Sequence, residues 1–341
     1  MEVNKMIVVT GATGFIGTYL VDELVKEKFD VLATGRNRSA ELYYKKAGIP
    51  FTRLDVTKEE DFDKLPNEGV DSVVHLAALL PANVRNYVAK DYININVIGT
   101  INVLEYCRKN NVNKIISTTS YADVQNLWKK RKPISEDSCR NFKFFGDHAI
   151  YVISKNTSTD IIENYSQEYG MYGIVFKLPP VYGYGPHSEI YVDGKYYKSG
   201  FQVFLEKAIK GEDIEIWGDS QIERDVVYIK DVVSGFILAL KSNRAQGLYN
   251  ISSGVSLSLS EQVKTTIKVF SPKEKKSKII YRPDKKNVST SYIFDIRKAK
   301  EDFGYKPKFV PFEKMLIDYK KEMENKRFSF LIESRKKSKD D

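Results

Sequence analysis

Cysteine is almost missing from this sequence of 341 residues: Cys107 and Cys139 are the two that occur. Two cysteines cannot build a disulfide framework, and neither stands at a metal-ligand spacing from the three histidines. A reduced compartment and no bound metal are therefore expected. Long apolar runs are missing as well. No stretch is long enough to span a bilayer, and the first residues lack the basic, apolar and small-residue order of a secretion signal. The expectation is a cytoplasmic protein with no membrane partner. Positive charge is in excess, at a net +9, but the lysines are scattered and no basic stretch alternates with stacking aromatics. No nucleic-acid partner is expected on that pattern. A dense basic run, Arg335-Lys336-Lys337-Ser338-Lys339, closes the chain and reads as a solvated tail over 326–341.

What is present is a soluble globular composition, 42% apolar and 29% charged, with length for one large or two ordinary domains. The chain is organised around Val8-Val9-Thr10-Gly11-Ala12-Thr13-Gly14-Phe15-Ile16-Gly17. A β-rich run, Met6 to Thr10, breaks at Gly11 and resumes as a helical stretch from Phe15 to Lys28, so the glycines occupy a strand-to-helix turn. Gly11 permits the tight turn, Gly14 clears the approach of a pyrophosphate, and Gly17 lets the helix lie close to the strand. Amides at the helix start and the positive end of its dipole would hold the phosphates.

The second β-rich run, Asp30 to Thr34, ends at Gly35-Arg36. An acidic residue there would bind the adenosine 2′-hydroxyl, whereas Arg36 can accommodate a 2′-phosphate, which leans the cofactor towards NADP rather than NAD. A solvated loop arginine is the other reading. A third strand, Pro50 to Leu54, leads into Asp55-Val56, where Asp55 could accept a bond from adenine or merely cap the next helix. A fourth, Asp71 to His75, leads into Leu76-Ala77-Ala78, small where the cofactor backbone would pass. A long helix is predicted from Asn83 to Lys109, and a fifth strand, Lys114 to Ser117, runs into Thr118-Thr119-Ser120. Strands alternating with helix-length segments predict a parallel sheet buried on both faces, with ligands at its carboxyl end. Finally, Tyr151-Val152-Ile153-Ser154-Lys155 opens a helix to Tyr169, and the spacing puts the phenol and the ammonium on one face. A nearby ammonium and a cationic nicotinamide ring would favour the phenolate.

With these pieces in order, and with Arg224-Asp225-Val226-Val227-Tyr228 and Arg282-Pro283-Asp284 following, the chain resembles the extended short-chain dehydrogenase/reductase family, specifically its sugar-nucleotide epimerase/dehydratase group. The resemblance implies an α/β fold, a Rossmann doubly wound parallel sheet with a smaller α/β substrate-binding domain. It divides the chain into a dinucleotide domain at 1–178, to which 224–252 returns, and a substrate domain at 179–223 and 253–325. It implies that Tyr151 exchanges a proton with a sugar hydroxyl, that Lys155 binds the nicotinamide ribose and lowers the phenol's pKa, and that Thr119 bonds the reacting oxygen. It places cofactor contacts at Gly11, Thr13, Gly14, Phe15, Ile16, Gly17, Arg36, Asp55, Val56, Leu76, Ala77, Ala78, Asn96, Thr118 and Leu178. Arg224 and Arg282 would hold the nucleotide phosphates of a nucleotide-sugar substrate, and a homodimer is implied.

Some residues depart from the group's pattern. Tyr121-Ala122-Asp123-Val124 replaces the usual Val-Tyr-Gly, and Ser120-Tyr121 stands where the dehydratases carry Asp-Glu, which weighs against dehydration. Pro180 replaces a common asparagine, and Lys177 a common arginine. The expected function is nucleotide-sugar epimerisation through transient oxidation of a sugar hydroxyl. The alternatives are an NADPH-dependent reductase of a nucleotide-linked keto-sugar and a non-catalytic cofactor-binding scaffold.

Overall fold

The computed structural model describes residues 6–329 apart from 85, 130, 131, 186–188, 193, 194, 288 and 327. The basic run Arg335 to Lys339 lies outside the described residues. The first half alternates strand and helix: β1 (Met6–Thr10), α1 (Phe15–Lys26), β2 (Asp30–Gly35), α2 (Arg38–Lys46), β3 (Phe51–Arg53) and β4 (Val70–His75). There follow α3 (Ala89–Tyr92), α4 (Gly99–Lys109), β5 (Lys114–Ser120), α5 (Asp147–Tyr169) and β6 (Tyr172–Leu178). A later strand, Gly247–Asn250, pairs with β6 and completes a seven-stranded sheet whose order is that strand, then β6-β5-β4-β1-β2-β3. Every pairing in it is parallel.

The apolar runs of the strands explain why the sheet is covered on both sides. Alternate residues of β1 point to opposite faces, so Ile7 and Val9 join Leu20 and Leu24 of α1 and Phe236 in one core. Val8 joins Val73, Ile115, Val175, Leu104 of α4 and Ile162 of α5 in the other. The order reverses between β1 and β4, and at the carboxyl ends of those strands an open α/β sheet leaves its ligand crevice.

Three sequence expectations shift. The fifth strand continues through Thr118 and Thr119 to Ser120, because its pairing with β6 persists to Ser120 opposite Leu178. The helix predicted from Asn83 starts only at Ala89, since Pro81 opens a short 3-10 turn and Val84 and Val88 are extended. Its second turn, Ile93–Ile98, is wound as a π-helix before α4 resumes the ordinary pitch. The helix bearing Tyr151 begins earlier, at Asp147, behind Gly146 with a positive φ of 79°.

Beyond β6 the chain forms short paired strands: Ile214–Trp217 parallel with Ile279–Arg282, Glu223–Asp225 antiparallel with Ser256–Ser258, and Val181–Tyr182 parallel with Val227–Tyr228. Helices Gly200–Lys210 and Leu259–Phe270 pack together there, the second started by a reciprocal Ser258–Glu261 capping box. The helix Ile229–Lys241 instead packs on α1.

Candidate active site

The glycine turn is built for a close backbone approach. Gly11 takes φ of 69°, and a β-carbon there would fall 2.6 Å from Ala77 N, so only glycine lets the end of β4 come so near. A β-carbon on Gly17 would meet Gly11 O at 2.4 Å, whereas one on Gly14 would meet only that same oxygen, at 3.1 Å. Space therefore lies open in front of Gly14, which caps α1 without a side-chain acceptor; the first turn carries no acid. That arrangement suits an anion. Phe15 and Ile16 are half-buried against the core, Phe15 edge-on to Tyr19. Thr13 packs against Gly35, where a β-carbon would come within 2.9 Å of its methyl group.

At the adenosine end, Arg36 is exposed and its Nη1 is 4.0 Å from Asp55 Oδ2. The other oxygen of Asp55 accepts from Thr57 N and Thr57 Oγ1, closing a local turn, while the 3-10 segment that follows is capped at Lys58 without a side-chain acceptor. Val56 is buried and its carbonyl accepts from Asn102, while Leu76 N donates to Thr10 O. Ala77 and Ala78 are half-buried beside the turn.

The π-helix serves Asn96. Its amide side chain accepts from Leu79 N at 2.7 Å and donates to Leu79 O and to Ser154 Oγ, the last at 2.9 Å, which ties it into the turn of α5 that holds Tyr151 and Lys155. Ser158 donates back to Asn96 O at 2.6 Å. Below it His75 is buried between Thr10 and Thr100, its Nδ1 2.7 Å from Thr10 Oγ1, and burial with the nearby Lys155 charge drops its pKa to about 3, so the ring is neutral.

Thr119, Lys177 and Asn250 stand in register on β5, β6 and the neighbouring strand, on one face of the sheet. Thr119 is buried and its Oγ1 has no hydrogen-bond partner among the described residues; Thr118, one step earlier, is half-buried and faces the other way. Helix α5 packs across β5 and β6 and brings Tyr151 and Lys155 over this edge, where neither polar end has a partner among the described residues. Burial lowers the Lys155 pKa to about 8. Burial, with Tyr121 and Tyr92 nearby, pushes the Tyr151 phenol up in the protein alone. A buried hydroxyl, a half-buried phenol and a buried ammonium without partners among the described residues are an incomplete set of polar groups that a bound ligand would complete.

Arg224 stands among the phenols of Tyr121, Tyr182 and Tyr292 with no carboxylate partner among the described residues. Arg282 is exposed, and its Nε lies 3.2 Å from Glu215 Oε1 while Lys285 takes the other oxygen, a surface ion pair. Sequence reading missed the aromatic group around Arg224: Tyr121 stacks on Trp128 at 5.3 Å and leans on Tyr292 at 5.1 Å. Tyr292 lies too far along the chain for any local signal to associate it with Tyr121.

Among the described residues no group of three or more acidic, histidine or cysteine side chains could hold a metal, and no helix is long and apolar enough to cross a membrane. The glycine cradle and the unpartnered polar groups fit a dinucleotide lying from Arg36 to Lys155.

Comparison with known proteins agrees. A Methanocaldococcus jannaschii protein provisionally named UDP-glucose 4-epimerase is 30% identical over 314 residues, covering 89% of this chain and 93% of that protein. UDP-glucuronic acid decarboxylase 6 of Arabidopsis thaliana is 26% identical, with 89% of this chain and 85% of that one aligned. The crystal structure of the Thermotoga maritima UDP-glucose 4-epimerase with UDP-glucose superimposes with a TM-score of 0.76 at 25% identity, over 93% of this chain and 99% of the other. The family described as NAD dependent epimerase/dehydratase matches residues 7–252, and this chain, with its Rossmann sheet and its extended short-chain dehydrogenase/reductase motifs, belongs to that family.

Proposed function

We propose that the chain is a nucleotide-sugar epimerase acting on a UDP-linked hexose with Thr119, Tyr151 and Lys155 as its catalytic residues. One observation carries the reading: the hydroxyl of Thr119, the phenol of Tyr151 and the ammonium of Lys155 lie towards the carboxyl end of the sheet without a partner among the described residues. The nicotinamide cofactor, when bound, supplies a reversible hydride acceptor. Tyr151 takes the proton of the sugar hydroxyl and later returns it. Thr119 donates a hydrogen bond to the same oxygen and fixes the sugar ring. Lys155, kept charged below about pH 8, holds the ribose and stabilises the phenolate once substrate excludes water. The cradle at Gly11, Gly14 and Gly17 holds the pyrophosphate, and Arg224 with its three phenols takes the substrate diphosphate.

The substrate class follows the named relatives, which include UDP-sugar epimerases and decarboxylases. Tyr121 occupies the position of an acidic side chain in the dehydratases, which supports retention of all the sugar's atoms. Proton NMR of the purified protein with UDP-glucose or UDP-galactose tests this. Interconversion of the two without added cofactor supports epimerisation; an unchanged spectrum for these and their N-acetyl and uronic acid counterparts counts against it.

Arg36 favours a second reading, reduction of a keto-sugar with NADPH, because it stands exposed where a 2′-phosphate would lie. That reading requires stoichiometric NADPH consumption and one-way product formation.

A further inference from the structure

Asp123 and Lys177, two positions where the sequence leaves its family's pattern, form one buried ion pair. Lys177 Nζ is 2.9 Å from Asp123 Oδ2, with 1% and 2% of the side chains exposed. Lys177 is the register partner of Thr119 on the adjoining strand, and Asp123 sits in the 3-10 segment Tyr121–Leu127 that follows β5. The pair therefore ties the residue four beyond Thr119 back to the strand beside it.

The tie continues outward. Arg140 Nε is 4.0 Å from Asp123 Oδ2, and its terminal nitrogens make two bonds, of 2.8 and 2.7 Å, to Asp160 of α5. Asn141 N donates to Asp123 O at 2.7 Å, and Asn126 N to Asn141 O, so backbone bonds run alongside the charges. Four groups of alternating sign thus link β6, the Tyr121–Leu127 segment, the approach to α5, and α5 itself. Of these pieces α5 carries Tyr151, while β6 pairs with Thr119 of β5 and the Tyr121–Leu127 segment follows β5 directly.

We propose that the Asp123–Lys177 pair is a positioning element of the active site: it holds the Thr119-to-Tyr121 corner and so sets where the Thr119 hydroxyl and the Tyr121 ring stand relative to Tyr151. The proposal rests on the catalytic reading of Thr119 and Tyr151 given above. A buried pair is a weak source of stability but a strong constraint on geometry, because either charge left alone is costly. Misplacing a catalytic group by about an ångström costs on the order of a hundredfold in rate.

The test compares Lys177→Met, Lys177→Arg and Tyr151→Phe in steady-state turnover of the nucleotide sugar, with cofactor affinity measured alongside. Lys177→Met is expected to lower kcat by about ten- to a hundredfold while KM and cofactor affinity stay within about threefold. Lys177→Arg, which keeps a cation against Asp123, is expected to restore most of kcat. Parent kcat in a folded Lys177→Met variant, with Tyr151→Phe impaired, would overturn the positioning role alone. Parent kcat in Tyr151→Phe would instead overturn the catalytic reading beneath it. Should Lys177→Met not fold, Asp123→Asn combined with Lys177→Met leaves neither charge alone, and Arg140→Gln loosens the same segment from its exposed end. Parent kcat in those variants would overturn the proposal equally.

Discussion

The carbonyl oxygen of Gly11 stands 2.4 Å from where a β-carbon of Gly17 would have to be, so the first turn of α1 rests directly on the end of β1. Residue 17 has no flexible side chain to push aside, only backbone. Gly17→Ala is expected to destabilise the fold by roughly 3 kcal/mol or more, at the upper end of overpacking costs, because the helix must lift from the strand. Urea denaturation would measure it, and a variant as stable as the parent would refute the contact.

Gly14 behaves differently, since its β-carbon would meet only Gly11 O, at 3.1 Å. Gly14→Val should leave the protein folded by circular dichroism and remove cofactor binding by filling the open space at the start of α1. Calorimetry showing parent affinity for NAD in this variant would place the pyrophosphate elsewhere.

Arg36 reports on the choice of cofactor. It is 63% exposed and its nearest acid, Asp55, is 4.0 Å away, which leaves its donors available. Arg36→Ala is expected to weaken NADP binding about tenfold or more while leaving NAD binding nearly unchanged, the scale of a charge-assisted phosphate contact. Equal losses for both cofactors would assign Arg36 to general surface charge.

Lys155 makes activity depend on pH. With its pKa lowered from 10.5 to about 8, it carries its charge below pH 8 and loses it above. The kcat/KM profile of the parent should therefore fall as pH rises through about 8. Stability has the opposite sign. Between pH 8 and 10.5 the unfolded chain holds this proton and the folded chain does not, so this group's contribution to stability rises with pH across that window. Lys155→Met should abolish that slope in a series of denaturation curves. An unchanged slope would mean that burial does not lower the Lys155 pKa.

How much of this was legible beforehand follows from how local each signal is. The glycine turn, the sheet strands and the helical spacing of Tyr151 and Lys155 are written in short spacings, one turn or one strand long. The π-wound stretch at Ile93–Ile98 was not legible, because it depends on Asn96 reaching Leu79 and Ser154 from outside its helix. Asp123 and Lys177 were visible only as two separate oddities, since nothing in either segment announces the other. Arg282 matched a motif position, yet Glu215 claims it across a strand pairing that only the fold creates. The upward shift of Tyr151 in the protein alone was not legible for a related reason. Spacing puts an ammonium nearby, but it does not say how thoroughly the phenol is sealed from water.

The central claim is that Tyr151 carries the proton between protein and sugar. Tyr151→Phe keeps the ring and its packing and removes the hydroxyl alone. The direct measurement is turnover of UDP-linked hexoses by the folded Tyr151→Phe variant at saturating substrate, beside the parent. The expected result is a loss in kcat of about a hundredfold or more with cofactor affinity preserved, the usual scale of general acid/base catalysis. Turnover at the parent rate would contradict the account.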